Sequence, residues 1–386
     1  MTADRAARAI AATPGDAQPR FVPSPPAGDP GPGQVLCRTL ELGVCGTDRE
    51  ILESAAPLVP RGASHLVLGH ECLARVEAIG PPLDDVDGDR PGGDWLLRAD
   101  GQRVAVGDLV VPVVRRAAVE STVRVDLLAF GQYTERGIVE EHGFSAESWL
   151  DQPRHLFGVP GELASLAVLT EPLSVAEKGV NEALAIQRGR LGPQAWTQPP
   201  PRVLVTGLGP IGFAGVLACW SRGWPTTLYG RDEPDTFRAE LGQRWGARYV
   251  AAREAAKWTG SAAPEFDLIL ECTGSDSVMV AVARWLAPRG VMVWLGSSRQ
   301  PQAAEHNLAR LMRDGVLRNQ VHVGSVNAAP RDFRDALAHL ALAERTHRPC
   351  LEDLVTARVE PEAALWHYEH RQPQGIKTVV VYDDAG

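Results

Sequence analysis

Residues 203–212 read Val203-Leu204-Val205-Thr206-Gly207-Leu208-Gly209-Pro210-Ile211-Gly212. An apolar run ends in glycines spaced Gly-x-Gly-x-x-Gly, and a helical apolar pattern over residues 211–221 follows. Strand, glycine turn and helix in that order give the spacing a physical meaning. The first glycine permits a tight turn. The second lets backbone approach a pyrophosphate, and the third lets helix and strand pack closely. The helix start then directs unpaired N–H groups and a positive dipole at phosphates. Gly207, Gly209, Pro210, Ile211 and Gly212 are therefore candidate cofactor contacts. A bare glycine spacing marks only a turn, so the units behind it carry the weight.

Those units repeat. Strand patterns at residues 226–229, 266–270 and 291–295 alternate with helical patterns at 237–245 and 278–286. Such alternation implies α/β architecture, a parallel sheet covered on both faces. The second strand runs through Leu228-Tyr229 into Gly230-Arg231-Asp232. An acidic residue about 20 positions past the glycines binds the ribose 2′-hydroxyl of NAD, whereas an arginine there suits the 2′-phosphate of NADP. Gly230 leaves room and Arg231 offers a forked donor, which favours NADP. Asp232 facing the ribose instead would favour NAD. Glu271-Cys272-Thr273-Gly274 and Leu295-Gly296-Ser297 end later strands, where ligands of open α/β sheets sit. Thr273, Gly274, Leu295, Gly296 and Ser297 are candidates for the ribose and nicotinamide edge.

The other half of the chain reads differently. A Pro/Gly-rich loop at 21–33 precedes a strand pattern at 34–44, and further short strand patterns fall at 74–79 and 108–114. An acidic, Gly-rich stretch at 84–101 reads as a loop, a helical pattern covers 162–190, and prolines crowd 191–201. Within this β-rich half, Gly43-Val44-Cys45-Gly46-Thr47-Asp48-Arg49-Glu50 and Gly69-His70-Glu71 place a thiol, an imidazole and a carboxylate close in sequence. Zinc takes those three donor types, and a catalytic zinc needs three protein ligands and an open position.

Length and composition bound the rest. A chain of 386 residues suits two domains, and 44% hydrophobic with 23% charged residues marks a globular protein. The net charge of −9 argues against nucleic acid or an anionic membrane as partner. No run reaches the length of a membrane span. Residues 1–12 lack the apolar core of a secretory signal, and six scattered cysteines without a Cys-x-x-Cys pair fit a reducing cytoplasm.

Together these stretches resemble the zinc-dependent medium-chain dehydrogenases, in particular their glucose dehydrogenase branch. The resemblance runs through residues 45–51, 68–71, 107–112 with Arg115-Arg116, 133–138, 171–178 (Glu-Pro-Leu-Ser-Val-Ala-Glu-Lys), 207–212 and Val326-Asn327. It implies a GroES-like catalytic domain over residues 1–188 and 325–386 and a Rossmann dinucleotide-binding domain over 189–324. It implies one zinc held by Cys45, His70 and Glu171, with Glu71 a ligand in some states, and a proton relay through Thr47. Glu135, Glu171 and Asn327 would face a sugar hydroxyl. A homo-oligomer, dimer or tetramer, is the expected assembly.

The chain departs from that pattern in two places. Relatives carry a structural zinc lobe after the Arg115-Arg116 region, but residues 117–130 contain no cysteine. That second zinc is excluded on ligand chemistry, and Val123, Val125, Leu127 and Leu128 are expected to pack the lobe instead. Val114 and Val175 are apolar where archaeal relatives present polar groups to the sugar. The substrate class is therefore a sugar or sugar-like ring such as a cyclitol, amino sugar or nucleoside. The alternative is a pathway-specific secondary alcohol of natural-product biosynthesis. A zinc-free reductase of the same fold would lack the Cys, His and Glu set. A non-catalytic cofactor-binding protein is supported only by the altered lobe.

Overall fold

The computed structural model describes residues 8–24, 26–81, 103, 105–260, 263–297 and 307–383. Most of the acidic loop expected at 84–101 lies outside them. The chain divides into two compact units, Met1–Glu171 with Val355–Gly386, and Pro172–Leu354.

The first unit is built on a seven-stranded sheet. Its main path runs Leu156–Gly158, Leu109–Pro112, Glu71–Ile79, Val35–Gly43, Lys377–Val381 and Val355–Val359, with Ser148–Asp151 also paired to Val35–Gly43. Alternating side chains bury one face in a core of Ile10, Leu42, Val76, Phe144, Trp149 and Val380. The rings of Phe144 and Trp149 lie 4.5 Å apart. The Trp149 indole donates to Thr39 Oγ1 at 3.0 Å, and the Thr39 hydroxyl donates to the Phe144 carbonyl at 2.9 Å. The Trp149 indole and the Thr39 hydroxyl are thus both satisfied.

A small three-stranded sheet, Arg115–Ala117, Tyr133–Arg136 and Glu140–Glu141, joins the large one through Asp151. Asp151 accepts from Arg116 at 2.7 Å, from Arg136 at 3.2 Å and from the Gln152 N–H at 2.8 Å, with His155 Nδ1 at 3.0 Å. Burial pushes its carboxyl pKa up, but Arg116, His155 and Arg136 outweigh burial and hold it well below the ordinary range.

The lobe at 117–130 is not packed as the sequence suggests. Val123 and Leu127 are exposed, as are Val119 and Phe130, and only Leu128 is deeply buried. Charge does the work instead. The Arg115 guanidinium donates to Glu135 Oε1 at 2.9 Å and to the Asp126 carbonyl at 3.1 Å, and stacks 3.8 Å over the Tyr133 ring. Arg124 pairs with the buried Asp126 at 2.6 Å.

The second unit is a six-stranded parallel sheet in the order Arg248–Ala251, Thr226–Gly230, Val203–Thr206, Phe266–Glu271, Leu286–Trp294, Val321–Gly324. In sequence terms the order is 3-2-1-4-5-6, the doubly wound arrangement. Its joins correct the expected boundaries. Residues 172–188 and 325–354, placed by sequence with the first domain, belong to the second unit. The reason is a polar seam between the helices Thr170–Leu191 and Pro330–Glu352. Asn181 donates to Asp332 at 2.8 Å and Asp335 at 2.9 Å, while buried Glu177 accepts from Arg222 at 2.7 Å and meets His339 Nδ1 at 2.7 Å. Among the described residues no helix is long and apolar enough to cross a membrane.

Replacing Asp151 by Asn strips buried Arg116 of its anion and leaves Arg136 with Glu141 alone, and denaturant unfolding should show a loss of about 3–5 kcal/mol. Because the folded pKa is depressed, the wild-type contribution is complete above a pH of about 4 and is lost as pH falls from there toward the folded value. The variant should be correspondingly less acid-sensitive between pH 4 and pH 2, on the order of 1 kcal/mol or more of the difference vanishing.

Candidate metal centre and dinucleotide site

The helix Gly46–Ser54 starts at Cys45, an N-cap in extended conformation. Asp48, at the third helical position, turns back and accepts from the Cys45 N–H at 2.9 Å, half of a capping box. Its other oxygen accepts from the Gly69 N–H at 3.4 Å and faces His70 Nδ1 at 3.5 Å. Asp48 is fully buried and His70 nearly so. One helical turn therefore fixes the thiol, places half-buried Thr47 beside it and orients the imidazole. The sequence reading left the group that orients His70 unnamed. An acidic residue three positions past an N-cap is the signal that points to Asp48.

Glu71 arrives by strand pairing. The strands Val35–Gly43 and Glu71–Ile79 are antiparallel, with Gly43 opposite Glu71. A Cβ on Gly43 would lie 2.1 Å from Glu71 Oε2, so glycine leaves the space the carboxylate fills. Buried Lys377 donates to both oxygens of Glu71, at 2.7 and 2.5 Å, and to the Val44 carbonyl at 3.3 Å. Lys377 is a second group that sequence reasoning missed; a lysine opening the apolar strand Lys377–Val381 was its only trace.

Ligand atoms of Cys45, His70 and Glu71 lie within 4.8 Å of one another, the one such group among the described residues. Burial lowers the His70 pKa, but Asp48 and Cys45 more than reverse this and hold it well above the ordinary value. Glu171, in the first turn of the helix Thr170–Leu191, stands outside that trio. Burial pushes its pKa up to about 7; His70 and Lys377 pull it down, while Glu71 and Asp48 push it up. Its titration thus senses the centre's charges.

Glu135 is buried and engaged by Arg115, as described above. Asn327, in the second unit, is buried in left-handed conformation with φ 63°, and its side-chain oxygen accepts from the Ala328 N–H at 2.7 Å. The amine of Lys178 donates to the adjoining Val326 carbonyl at 2.7 Å. Val114 is buried and Val175 half-buried.

In the second unit the three glycines do separate jobs. Gly207 has φ 89°, the left-handed region that favours glycine. Gly209 caps the helix Pro210–Trp220, and nothing lies within 4 Å of where its Cβ would project. A Cβ on Gly212, next after Ile211 in the helix, would sit 1.9 Å from the Gly207 carbonyl. Gly230 differs from expectation, because Leu208 Cδ1 would lie 1.8 Å from its Cβ. The space there serves packing of the glycine turn. Arg231 is exposed. Glu271 organises the neighbouring loops: its side chain accepts from the N–H groups of Thr273 at 2.8 Å and Gly274 at 3.2 Å and from Thr206 Oγ1 at 3.1 Å. Its carbonyl accepts from Leu295 at 2.8 Å and Gly296 at 3.0 Å. Gly274 and Ser297 are in turn so close that a Cβ on Gly274 would fall 2.9 Å from the Ser297 nitrogen.

This architecture, a β-rich unit with a Cys, His and Glu cluster and a doubly wound unit with a glycine turn, is that of a medium-chain dehydrogenase. Residues 31–150 match the alcohol dehydrogenase GroES-like domain, and residues 164–382 match the family described as glucose dehydrogenase C-terminus. The glucose 1-dehydrogenase of Thermoproteus tenax is 38% identical over 94% of this chain and 97% of its own. That of Halobacterium salinarum is 34% identical over 97% and 99%. The Haloferax mediterranei glucose dehydrogenase in complex with NADP, Zn and gluconolactone is 28% identical, covers 97% of this chain and 99% of its own, and superposes with a TM-score of 0.76. The chain belongs to the glucose dehydrogenase family of the medium-chain dehydrogenases.

Gly43→Ala should displace Glu71 by on the order of 1 Å, and a shift of that size costs about 100-fold in rate. We expect kcat/KM to fall by that order and bound metal to drop, with a native circular dichroism spectrum.

Proposed function

We propose that this protein is a zinc- and NADP-dependent dehydrogenase that reversibly oxidises a hydroxyl of a sugar or sugar-like substrate, an aldose at its anomeric carbon giving the lactone. The observation that carries the reading is the convergence of Cys45, His70 and Glu71 within 4.8 Å, in a chain 38% identical to a glucose 1-dehydrogenase.

The donor set fits zinc, which binds thiolate, imidazole and carboxylate. Cys45, His70 and Glu171 would hold it, with Glu71 as an exchangeable carboxylate. With Asp48 3.5 Å from Nδ1, Nε2 of His70 would be the nitrogen offered to the metal, and Asp48 its outer carboxylate. Zinc, when bound, would supply Lewis-acid chemistry that makes the substrate hydroxyl easier to deprotonate. Thr47 takes the hydroxyl proton and passes it outward. Lys377 donates to both carboxylate oxygens of Glu71 and so supplies a cation beside it in a buried site. Glu135 and Asn327 recognise substrate hydroxyls, held in orientation by Arg115 and the Ala328 N–H.

On the cofactor side, Gly207, Gly209, Pro210, Ile211 and Gly212 receive the pyrophosphate. Arg231 takes the 2′-phosphate, and Thr273, Gly274, Leu295, Gly296 and Ser297 border the nicotinamide ribose. A second reading, a pathway-specific secondary alcohol, draws on the buried Val114, which offers a sugar no hydrogen bond. A cytoplasmic setting rests on the six free thiols.

Assembly as a homo-oligomer is part of the proposal. Leu308, Met312 and Val316 are exposed at i, i+4, i+8 on the helix Leu308–Leu317, and Val321–Gly324 is the edge strand that follows it.

NADP reduction by the purified protein, followed against aldoses and cyclitols with and without a chelator, tests the reaction. Metal-dependent turnover of a sugar is expected. Turnover that survives full removal of zinc would overturn the metal's role, and turnover of simple secondary alcohols alone would select the second reading. Met312→Lys with Val316→Glu should lower the solution mass by at least one halving in sedimentation equilibrium; an unchanged mass would remove this face from the interface.

A further inference from the structure

Asp232 stands 20 residues past Gly212, where an acidic side chain ordinarily selects NAD by accepting from the ribose 2′-hydroxyl. It would also repel a 2′-phosphate. The structure puts it beside the glycine turn: the Gly207 N–H donates to the Tyr229 carbonyl at 2.8 Å, and Leu208 fills the space at Gly230. Asp232 is nevertheless turned to a different partner. Arg238, on the helix Phe237–Arg244, donates from Nε and Nη2 to the two carboxylate oxygens at 2.8 Å each. The side chains are only 19% and 11% exposed. Tyr249 donates its hydroxyl to the Asp232 carbonyl at 2.5 Å, which fixes the backbone of the turn. The neighbouring acid, Glu233, is paired with Arg253 at 2.5 Å.

We propose that Arg238 is the specificity-determining residue for the dinucleotide, acting as a clamp that takes Asp232 out of competition for the ribose. This rests on the reading of residues 207–231 as an NADP site. A bidentate guanidinium–carboxylate pair occupies an oxygen on each side of the acid and cancels its charge. The Asp232 acid can then neither accept from a 2′-hydroxyl nor repel a phosphate, and Arg231 beside it sets the preference. The chain thus carries the NAD-type acid and the means of silencing it, at the second position of a helix whose own cap is Thr236. Arg238 acts through Asp232 and is a positioning residue.

Binding of NADP, NAD and adenosine 2′,5′-bisphosphate, measured by calorimetry on the full chain, tests the clamp without relying on turnover. In Arg238→Gln the freed acid should weaken NADP and the bisphosphate and strengthen NAD, moving the NADP/NAD affinity ratio by roughly tenfold or more. Adding Asp232→Asn to that variant should restore much of the NADP affinity while abolishing the gain for NAD. Arg231→Ala should weaken NADP with no gain for NAD. If Arg238→Gln does not fold, Arg238→Lys, which keeps the charge but loses the fork, should move the ratio in the same direction by less. A ratio unchanged in both Arg238 variants, or a double variant no better than Arg238→Gln, overturns the clamp while leaving the cofactor reading intact. Failure of the wild type to bind either dinucleotide overturns the cofactor reading itself.

Discussion

The buried pair of Lys377 and Glu71 is the constraint on which the first unit depends. A lysine and a glutamate at 2% and 1% exposure are each costly to remove from water, and only their mutual contact makes burial tolerable. That contact needs the last strand laid beside Val35–Gly43, where the Val44 carbonyl receives the remaining donor. It needs glycine at 43, since any Cβ would occupy the carboxylate's place. With Glu71 placed by strand register and Cys45 by a helix cap, the imidazole beside them faces Asp48 at 3.5 Å. The centre is therefore a product of sheet geometry more than of local sequence.

What the sequence disclosed follows from the range over which each feature is determined. The glycine turn was legible because its three requirements, a positive φ, an open cap and a close helix approach, are all met within six residues. Cys45, His70 and Glu71 were legible because few unrelated reasons place those donors so near. Lys377 was not, because its partner is 306 positions away. Asp48 was visible as a residue but not as a role, since capping geometry decides which way it turns. The domain joins were misplaced because helices at 170–191 and 330–352 show apolar periodicity without declaring which body they cover; the polar seam of Glu177, Asn181 and Asp332 decides it. Residues 123 and 127, expected inside, are outside, because the lobe is closed by Arg115 and Arg124 on Asp126 and not by apolar contact.

The two units manage charge in opposite ways. Around the candidate metal centre, Glu71, Glu171 and Asp48 are gathered beside a thiol, and one lysine and one imidazole offset them. Such a concentration of anionic donors suits a divalent cation. Beside the glycine turn the acids are individually partnered: Asp232 with Arg238, Glu233 with Arg253, and Glu271 with the N–H groups of the loop it shapes. The first arrangement gathers negative charge, and the second offsets it acid by acid.

The order of synthesis gives the Lys377 contact a further meaning. Residues 172–354 form a continuous stretch and can close their sheet soon after they emerge from the ribosome, whereas the first unit is interrupted by them. At about 5–20 residues per second, the 306 positions between Glu71 and Lys377 take roughly 15–60 s to make. Through that interval the nascent first half carries its cluster of acids and thiol without the cation built to neutralise it. The GroES-like half, although made first, therefore gains the Lys377 contact to Glu71 only with its last strand, after the whole of the second unit has been made.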